Sequence, residues 1–416
     1  METEYSHKRL VIWGTGNTGN AFYQKYKDSF LLNTCTSSEE VIKPIEDLNA
    51  VHFADLDKAD DFIIICSAYY EEIERKLFLN GWTFGQNYIT SAFFEARYEK
   101  EYLGKRLLVS IGRCKIYQIT KTLGTIPAFR EKYAVVHFDQ PNVCASENAY
   151  NFHKVRQCME MLKYADIMLR PTTVSARLIA DYKNLKEKAS GQCEDISVSL
   201  PLFGSYWPQD TGRERDVAKW YISPFGRNLK AYCERDYILE EWIEKGKTKR
   251  EIIESFSDKK FFDKEKVLYH HQETLERAYF WDRISEVKIT DFIEENYQYK
   301  KLFCDRGHFS DLLLQEYIER ILQYLGETEC LETLKDITFE DLVKEVGILP
   351  ATESLIYPST ADALNLKFVD EQTKYRFQLA DDTKSVTFRE GLEMQIEYYM
   401  KARALLQLCY VDNSGL

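Results

Sequence analysis

A cysteine and an acid–histidine pair, far apart in the chain, have the residue types needed for acyl transfer. The cysteine lies in Gly112-Arg113-Cys114, between an apolar run, Leu107–Ile111, and a run with helical periodicity. A helix N-terminus there favours a thiolate, because the helix dipole is positive at that end. The second stretch, Asp305-Arg306-Gly307-His308, places a carboxylate three residues before a histidine. Together they supply a nucleophile, a base and an acid that orients the base.

The elements that must position these residues follow an α/β pattern from residue 106 onwards. The predicted strands are Leu107–Ile111, Ala134–His137, Ile167–Leu169, Ile196–Leu200 and Lys301–Cys304. The predicted helices are Asn151–Tyr164, Val174–Lys188 and Asp311–Leu325. Residues 213–297 are charged and helical in pattern, which indicates a large helical insertion. The pattern predicts an α/β domain over 106–330 and a helical extension over 331–416, with a last helix at Phe388–Leu408.

Residues 1–100 predict a smaller α/β domain of their own. The predicted strands are Arg9–Trp13, Phe30–Cys35, Asp61–Ser67 and Asn87–Thr90, and the predicted helices are Asn17–Lys27 and Tyr69–Asn80. This alternation with short links implies a parallel sheet covered by helices, as in Rossmann-like domains. The charged stretch from Glu95 to Arg106 is predicted to link the two domains.

A glycine-rich turn, Gly14-Thr15-Gly16-Asn17-Thr18-Gly19, directly follows the first predicted strand and opens the first helix. Gly14, Gly16 and Gly19 would let a phosphate approach backbone N–H groups at the helix N-terminus. The place where an NAD enzyme carries a ribose-binding acid reads Asn33–Ser38 and holds none. This disfavours NAD chemistry and leaves a nucleotide or nucleotide sugar as the candidate ligand.

Composition sets further bounds. The chain has 416 residues, 44% of them hydrophobic and 29% charged, and a net charge of -12, which argues against a nucleic-acid partner. Ten cysteines without a Cys-x-x-Cys pair indicate reduced thiols rather than disulfides or a zinc site. Adjacent His270 and His271 point in different directions on a helix, so we expect no metal. The absence of a signal peptide or membrane-length apolar run predicts a cytoplasmic protein, with a homo-oligomer or a biosynthetic complex left open.

Several blocks resemble known families. Val11–Gly16 and Ile63–Ser67 resemble small Rossmann-like domains of sugar-modifying and cell-surface polysaccharide enzymes. From about 106 to 326, the chain resembles the WcbI-type family of polysaccharide-biosynthesis acetyltransferases, which bind coenzyme A. That resemblance rests on Ile111–Cys114, Ala165–Pro171, Pro201–Pro208, and a long block from Val287 through His308 to Gly326. It implies a coenzyme A-dependent O-acyltransferase acting on a sugar of a capsule or surface polysaccharide.

The resemblance assigns roles residue by residue. It supports Cys114, His308 and Asp305 as catalytic residues and places Gly112 in the coenzyme A-binding turn. The positive charges of Arg113, Lys115 and Arg170 make these three residues candidate contacts for the coenzyme A phosphates. Where the family reads Gly-Asn-Cys-Gln, this chain has Gly112-Arg113-Cys114-Lys115, and Phe309 replaces the proline that usually follows the histidine. The order of nucleophile and Asp-x-x-His also resembles SGNH-type hydrolases, which implies an SGNH-like fold for the second domain.

Two other functions fit the same residues. An esterase or deacetylase of acetylated saccharides would use them with water as the acceptor. A non-catalytic scaffold that binds a nucleotide or a sugar would fit the altered turn around Cys114 and the missing ribose acid.

Overall fold

The chain folds into two compact units, residues 1–197 and residues 198–416. The computed structural model describes residues 7–139, 157–172, 189, 191–210, 236–336, 353–379 and 382–412. The predicted helix Val174–Lys188 lies outside these ranges. The first six residues of the predicted helix Asn151–Tyr164 also lie outside them, and 157–162 is helical. Within the described ranges, no helix combines the length and the apolarity that a membrane crossing requires.

The first unit begins with a five-stranded sheet, which contains the four predicted strands and a short fifth one at Asn49–Ala50. Its strands are β1 (Arg9–Trp13), β2 (Leu32–Thr36), β3 (Asn49–Ala50), β4 (Asp61–Ile65) and β5 (Tyr88–Thr90). They lie in the order β3-β2-β1-β4-β5, and every neighbouring pair is parallel. This is the order of the first five strands of a Rossmann sheet, so the predicted fold class is confirmed.

The glycine turn connects β1 to helix α1 (Asn17–Tyr26). Gly14 has a φ of +123°, and a Cβ there would lie 2.3 Å from the carbonyl oxygen of Cys66. A Cβ on Gly19 would lie 1.7 Å from the carbonyl oxygen of Gly14, so the helix can approach the strand only without a side chain at that position. Gly16 meets nothing within 4 Å. Two of the three glycines are therefore required by packing.

The charged stretch predicted as a linker is instead helical. After α2 (Tyr70–Leu79) and β5, the chain forms α3 (Ser91–Leu103). The Thr90 hydroxyl caps its first turn by accepting a hydrogen bond from Phe93 N at 3.3 Å. Gly104, with a φ of 68°, ends this helix. Phe93 and Phe94 are buried, as is the charged Arg97, whereas Glu101 is exposed. The linker prediction was wrong because charge alone does not show which face of a helix is apolar.

A second sheet completes the first unit. Its strands are β6 (Arg106–Gly112), β7 (Tyr133–Asp139), β8 (Ile167–Pro171) and β9 (Glu194–Val198), in the order β7-β6-β8-β9. The central strand β6 pairs parallel with both neighbours. Helices α4 (Cys114–Thr125) and α5 (Pro127–Lys132) connect β6 to β7. One apolar cluster runs through both sheets and contains, for example, Val11, Phe94 and Val109.

The described part of the second unit is mainly helical. Its helices are α6 (Tyr237–Glu244), α7 (Lys249–Phe256), α8 (Lys264–Asp282), α9 (Thr290–Asn296), α10 (Asp311–Tyr324), α11 (Thr328–Asp336), α12 (Pro358–Leu364) and α13 (Phe388–Asp412). Two findings correct the sequence prediction. Lys301–Cys304 is no sheet strand but one side of a tight turn closed by a Phe303–Phe309 bridge. The tail also contains an antiparallel hairpin, β10 (Lys374–Leu379) and β11 (Asp382–Thr387).

A buried carboxylate fixes the start of α6. Asp236 accepts hydrogen bonds from the backbone N–H groups of Ile238 at 3.1 Å and Leu239 at 2.9 Å. The Tyr357 hydroxyl donates to the same carboxylate at 2.5 Å and so connects α6 to the segment before α12. Burial raises the pKa of Asp236 to about 6 despite these donors.

Candidate active site

Cys114 is the first residue of α4, directly after the end of β6. Arg113 is the N-cap, with an extended backbone (φ −92°, ψ −164°) that turns the chain from strand to helix. A Cβ on Gly112 would lie 2.6 Å from Ile116, so glycine lets the first turn of α4 pack against the strand. The Cys114 side chain is exposed. The structure therefore presents this thiol to solvent at the positive end of a helix, as the sequence predicts.

Exposure separates Cys114 from the other cysteines. Seven cysteines have described side chains, and among these Cys114 alone is exposed, while Cys193 is partly exposed and the rest are buried. Burial raises the pKa of Cys193 to about 11 and that of Cys304 to about 12, so both stay protonated near neutral pH. Among these seven, Cys114 is the best placed to react with a ligand.

Cys114 lies on the wall of a cavity of about 1180 Å³ within the first unit. One side is formed by α4, where Cys114, Tyr117 and Lys121 follow one another at helical spacing. His137 on β7 also lines the cavity. Its Nδ1 forms a 2.8 Å hydrogen bond with Ser110 Oγ, and its ring packs edge-on against Tyr117. Other lining residues come from the carboxyl ends of β4 and β5 and from the helices that follow them.

The predicted coenzyme A contacts have different environments. Arg113 is exposed beside Cys114, whereas Lys115 is only 8% exposed. Arg170 donates two hydrogen bonds to Asp195, at 2.7 and 2.9 Å, so a phosphate at Arg170 would compete with that carboxylate. The roles of Arg113, Lys115 and Arg170 as coenzyme A contacts stay predictions.

Two cations that the sequence analysis passed over line the cavity. Lys121 and Arg130 are exposed side chains on its α4–α5 side. Lys121 lies seven residues after Cys114, two helical turns along, so the period of α4 was the signal that could have identified it. The glycine turn is not among the described lining residues, and the predicted ligand role of Gly14, Gly16 and Gly19 stays a prediction.

Asp305 and His308 form the predicted pair in the second unit. Asp305 Oδ1 accepts hydrogen bonds from the backbone N–H groups of Gly307 at 2.7 Å and His308 at 2.8 Å. Its Oδ2 lies 2.8 Å from His308 Nδ1. The carboxylate is 6% exposed and the imidazole 31% exposed. This contact fixes the ring and favours the tautomer with the proton on Nδ1, which leaves the basic lone pair on Nε2.

The surroundings of this pair contain two further histidines, both on α8. His270 makes a backbone hydrogen bond with Gly204, and burial lowers the pKa of His270. His271 Nδ1 lies 3.0 Å from Ser205 Oγ, and burial lowers the pKa of His271 to about 4. The backbone N–H of Phe203 donates to the carbonyl of Arg306 at 3.1 Å, which connects this loop to the turn that carries His308. The two histidines therefore bind the loop at adjacent residues, His270 at Gly204 and His271 at Ser205.

The two parts can each do a defined step of acyl chemistry. A thiol at a helix N-terminus can accept an acyl group, and an oriented imidazole can take a proton from a hydroxyl. Cys114 belongs to the first unit and the Asp305–His308 pair to the second, so their combination in one reaction stays a prediction. Over the described ranges, no group of three or more His, Cys, Asp and Glu is arranged to hold a metal ion.

Comparisons with known proteins bear on the fold. No protein-family model matches the chain, and no curated protein matches it. Among solved structures, the chain is similar to WcbI, described as a novel polysaccharide biosynthesis enzyme, in a native form without a disulfide bond between coenzyme A and one of its cysteines. The TM-score is 0.50 at 16% identity, and the match covers 71% of this chain and 90% of that chain. The predicted resemblance is confirmed at the level of the fold.

Proposed function

We propose that the chain is a coenzyme A-dependent O-acyltransferase that transfers acetyl to a sugar in capsule or surface-polysaccharide biosynthesis. The position of Cys114 carries the proposal, because this exposed thiol begins a helix on the wall of a cavity of about 1180 Å³. The similarity to WcbI supports it, because WcbI is described as a polysaccharide biosynthesis enzyme. The description of WcbI also refers to a disulfide bond between coenzyme A and a cysteine, which is absent in its native form.

The α4 side of the cavity has the chemistry that coenzyme A requires. Its phosphates are anions, and Lys121 and Arg130 supply exposed cations on this side, with Arg113 exposed beside Cys114. The exposed ring of Tyr117 lies between Cys114 and Lys121 along the helix. It offers an apolar face to the arm of coenzyme A that links the phosphates to the thiol. We therefore assign this side to the donor.

His308 would act as the general base. Acyl-coenzyme A would supply the activated acyl group as a thioester. His308 Nε2 would take the proton of the sugar hydroxyl, and that oxygen would form the new ester bond while the donor's thiol leaves. Asp305, which accepts two backbone hydrogen bonds, would orient the imidazole and stabilise the imidazolium that forms.

Cys114 admits a second route through an acyl-enzyme. Its Sγ would first attack the thioester carbon, the donor's C–S bond would break, and the coenzyme A thiol would leave. The sugar oxygen would then displace Sγ from the acyl carbon, with His308 as the base in that second step. Intact-protein mass spectrometry after incubation with acetyl-coenzyme A separates the routes. An acetyl adduct that is absent from Cys114→Ser supports the covalent route, and turnover without an adduct supports direct transfer.

The proposed function is tested by acceptor-dependent release of the coenzyme A thiol from acetyl-coenzyme A. We expect His308→Asn to lower the rate by about 10²- to 10⁴-fold, as for a lost general base. His52→Asn and Cys193→Ser, which change a solvent-exposed histidine and a partly exposed cysteine, should leave the rate unchanged. A chain that neither binds coenzyme A in calorimetry nor releases its thiol would refute the proposal. Acetate release from an acetylated saccharide without coenzyme A would instead assign a hydrolase.

A further inference from the structure

Strand β7 lies at the edge of its sheet, and its free edge borders the cavity that Cys114 lines. Among the described strands, the order β7-β6-β8-β9 leaves β7 paired on one side only, with β6. An edge strand directs backbone N–H and C=O groups away from its sheet. Four consecutive residues of β7, 135–138, line the cavity. The wall of the cavity therefore includes main-chain groups of a strand edge as well as side chains.

The cavity reaches both faces of β7. Successive side chains of a strand point to opposite faces of the sheet, so His137 lies on the opposite face from Val136 and Phe138. The ring of His137 packs against Tyr117 of α4. Val136 and Phe138 pack against the apolar cluster that both sheets share. Because residues of both faces line one cavity, the cavity extends around the free edge between them.

The hydrogen bonds of β6 show which main-chain groups of β7 point outwards. Asp166 N, just before β8, donates to Leu107 O at 2.9 Å, so this carbonyl of β6 points to β8. Main-chain groups of a central strand alternate between its two neighbours, so Leu108 and Ser110 point to β7. In the parallel register they bond to residues 134, 136 and 138 of β7. Val135, between two of these residues, therefore directs its N–H and its C=O away from the sheet.

Val135 has both main-chain groups available to a ligand. It is half-buried and lines the cavity, and no hydrogen bond joins its N–H or its C=O to another described residue. Half-buried main-chain groups without a partner favour a ligand that supplies both an acceptor and a donor. The next residue, Val136, is the opposite case, because the register directs its N–H and its C=O to β6.

We propose that the pantetheine arm of coenzyme A binds along the free edge of β7 as an added strand, an inference that rests on the proposed function. The arm contains two amides, one on each side of a β-alanine unit. Val135 N–H would donate to the carbonyl of the first amide, and Val135 C=O would accept from the N–H of the second. One residue contacts two successive amides in this way in a parallel strand pair. The site therefore recognises the amides of the ligand through the main chain.

The two ends of β7 set the direction of the arm. Arg130 lines the cavity three residues before the first residue of β7, so the phosphates would lie at this end. Cys114 follows Gly112, which pairs with the last residue of β7, Asp139, so the sulfur would lie at that end. The seven residues of β7 extend over about 20 Å at about 3.3 Å per residue. An extended arm has about 13 bonds from phosphorus to sulfur and spans about 16 Å, so it fits along the strand in this direction.

Hydrogen exchange of the Val135 amide tests the proposal, with coenzyme A and 3′-phospho-ADP as probes. The second probe is coenzyme A without its pantetheine arm. In a chain with ¹⁵N-labelled valine, we expect saturating coenzyme A to slow exchange of the Val135 N–H by about tenfold or more, and 3′-phospho-ADP to leave it unchanged. Val136 is the matched control, because its N–H is bonded to β6 and should exchange slowly with either probe.

Two substitutions of Val135 separate the main chain from the side chain. Val135→Pro removes the N–H at an edge position, where a strand tolerates proline. It should weaken binding of coenzyme A by about tenfold in calorimetry, as for one lost hydrogen bond, and leave binding of 3′-phospho-ADP unchanged. Val135→Ala keeps the N–H and should bind coenzyme A more tightly than Val135→Pro. If Val135→Pro does not fold, exchange in the wild-type chain still decides the question.

Two results would overturn this inference while the proposed function stands: coenzyme A that binds in calorimetry without slowing exchange at Val135, or equal slowing by 3′-phospho-ADP. A chain that does not bind coenzyme A would overturn both proposals. A chain that binds it with the expected protection of Val135, but releases no thiol with any acceptor, would retain the site for the arm and lose the acyltransferase.

Discussion

The buried imidazole of His271 predicts a loss of stability at acidic pH. His271 is 7% exposed, and burial lowers its pKa from 6.5 to about 4. The charge of Glu294 raises this pKa and that of His270 lowers it, but both effects are smaller than that of burial. The folded state therefore binds this proton less readily than the unfolded state. The folded state therefore keeps its full stability above pH 6.5, and the free energy of unfolding decreases as the pH falls from 6.5 towards 4.

The pKa difference gives the size of this effect. At about 1.36 kcal/mol per pKa unit, the free energy of unfolding falls by about 3 kcal/mol once the pH is below 4. The same relation gives a loss of about 2 kcal/mol at pH 5 and almost none above pH 7. A domain is typically stable by about 5–15 kcal/mol, so this is a substantial fraction.

Urea unfolding of the wild-type chain and His271→Asn between pH 7.5 and pH 5 measures the effect. At pH 7.5 the variant should be less stable, because it loses the ring contact with Tyr297, whose centroid is 4.3 Å away. Towards pH 5 the gap between the two proteins should shrink by about 2 kcal/mol, since asparagine does not titrate. His52→Asn, at an exposed position, should follow the wild type. Parallel curves for His271→Asn and the wild type would refute the reasoning.

Three further changes have defined outcomes. Gly19→Ala should lower the melting temperature sharply or prevent folding, because its Cβ would lie 1.7 Å from the carbonyl oxygen of Gly14. Gly16→Ala is the control: its Cβ would meet nothing within 4 Å, so the free energy of unfolding should fall by less than about 1 kcal/mol. Among the seven cysteines with described side chains, iodoacetamide followed by peptide mass spectrometry should label Cys114 first and Cys193 later, and the opposite order would contradict the exposures described above. Tyr357→Phe removes the donor to the buried carboxylate that caps α6 and should cost about 1–3 kcal/mol in urea unfolding, while a change below 0.5 kcal/mol would rule out that role.

The sequence predicted the parts of the fold that have a clear period. The buried strand Asp61–Ile65 and the helix Asp311–Tyr324 were identified almost to the residue, because continuous apolar runs and amphipathic faces are local signals. The helix Ser91–Leu103 was missed, because its apolar residues are concentrated in its first half and charged residues fill the second. The hairpin that begins at Lys374 was also missed, although polar and apolar residues alternate along Lys374–Leu379 and Tyr375 and Phe377 are buried, so this period of two was an available signal.

The candidate site was predictable where chemistry depends on neighbours in sequence. Asp305 and His308 contact each other as expected, since a spacing of three residues across a tight turn fixes their separation. The rest of the cavity wall was not predictable. Glu71 and Cys114 line one cavity although 43 positions separate them, and only the packing of two sheets brings them to it.

The apolar cluster that both sheets of the first unit share limits how this protein could be divided or recombined. Leu107 and Val109 of β6 pack in the same cluster as Val11 of β1. A fragment that starts near residue 106, or one that ends near residue 100, would therefore expose a broad apolar surface and should aggregate. We expect residues 1–197 to melt as one cooperative unit and to be the smallest soluble piece of this half. Residues 1–100 could then be exchanged for those of a relative only if the incoming residues reproduce the apolar contacts with the second sheet.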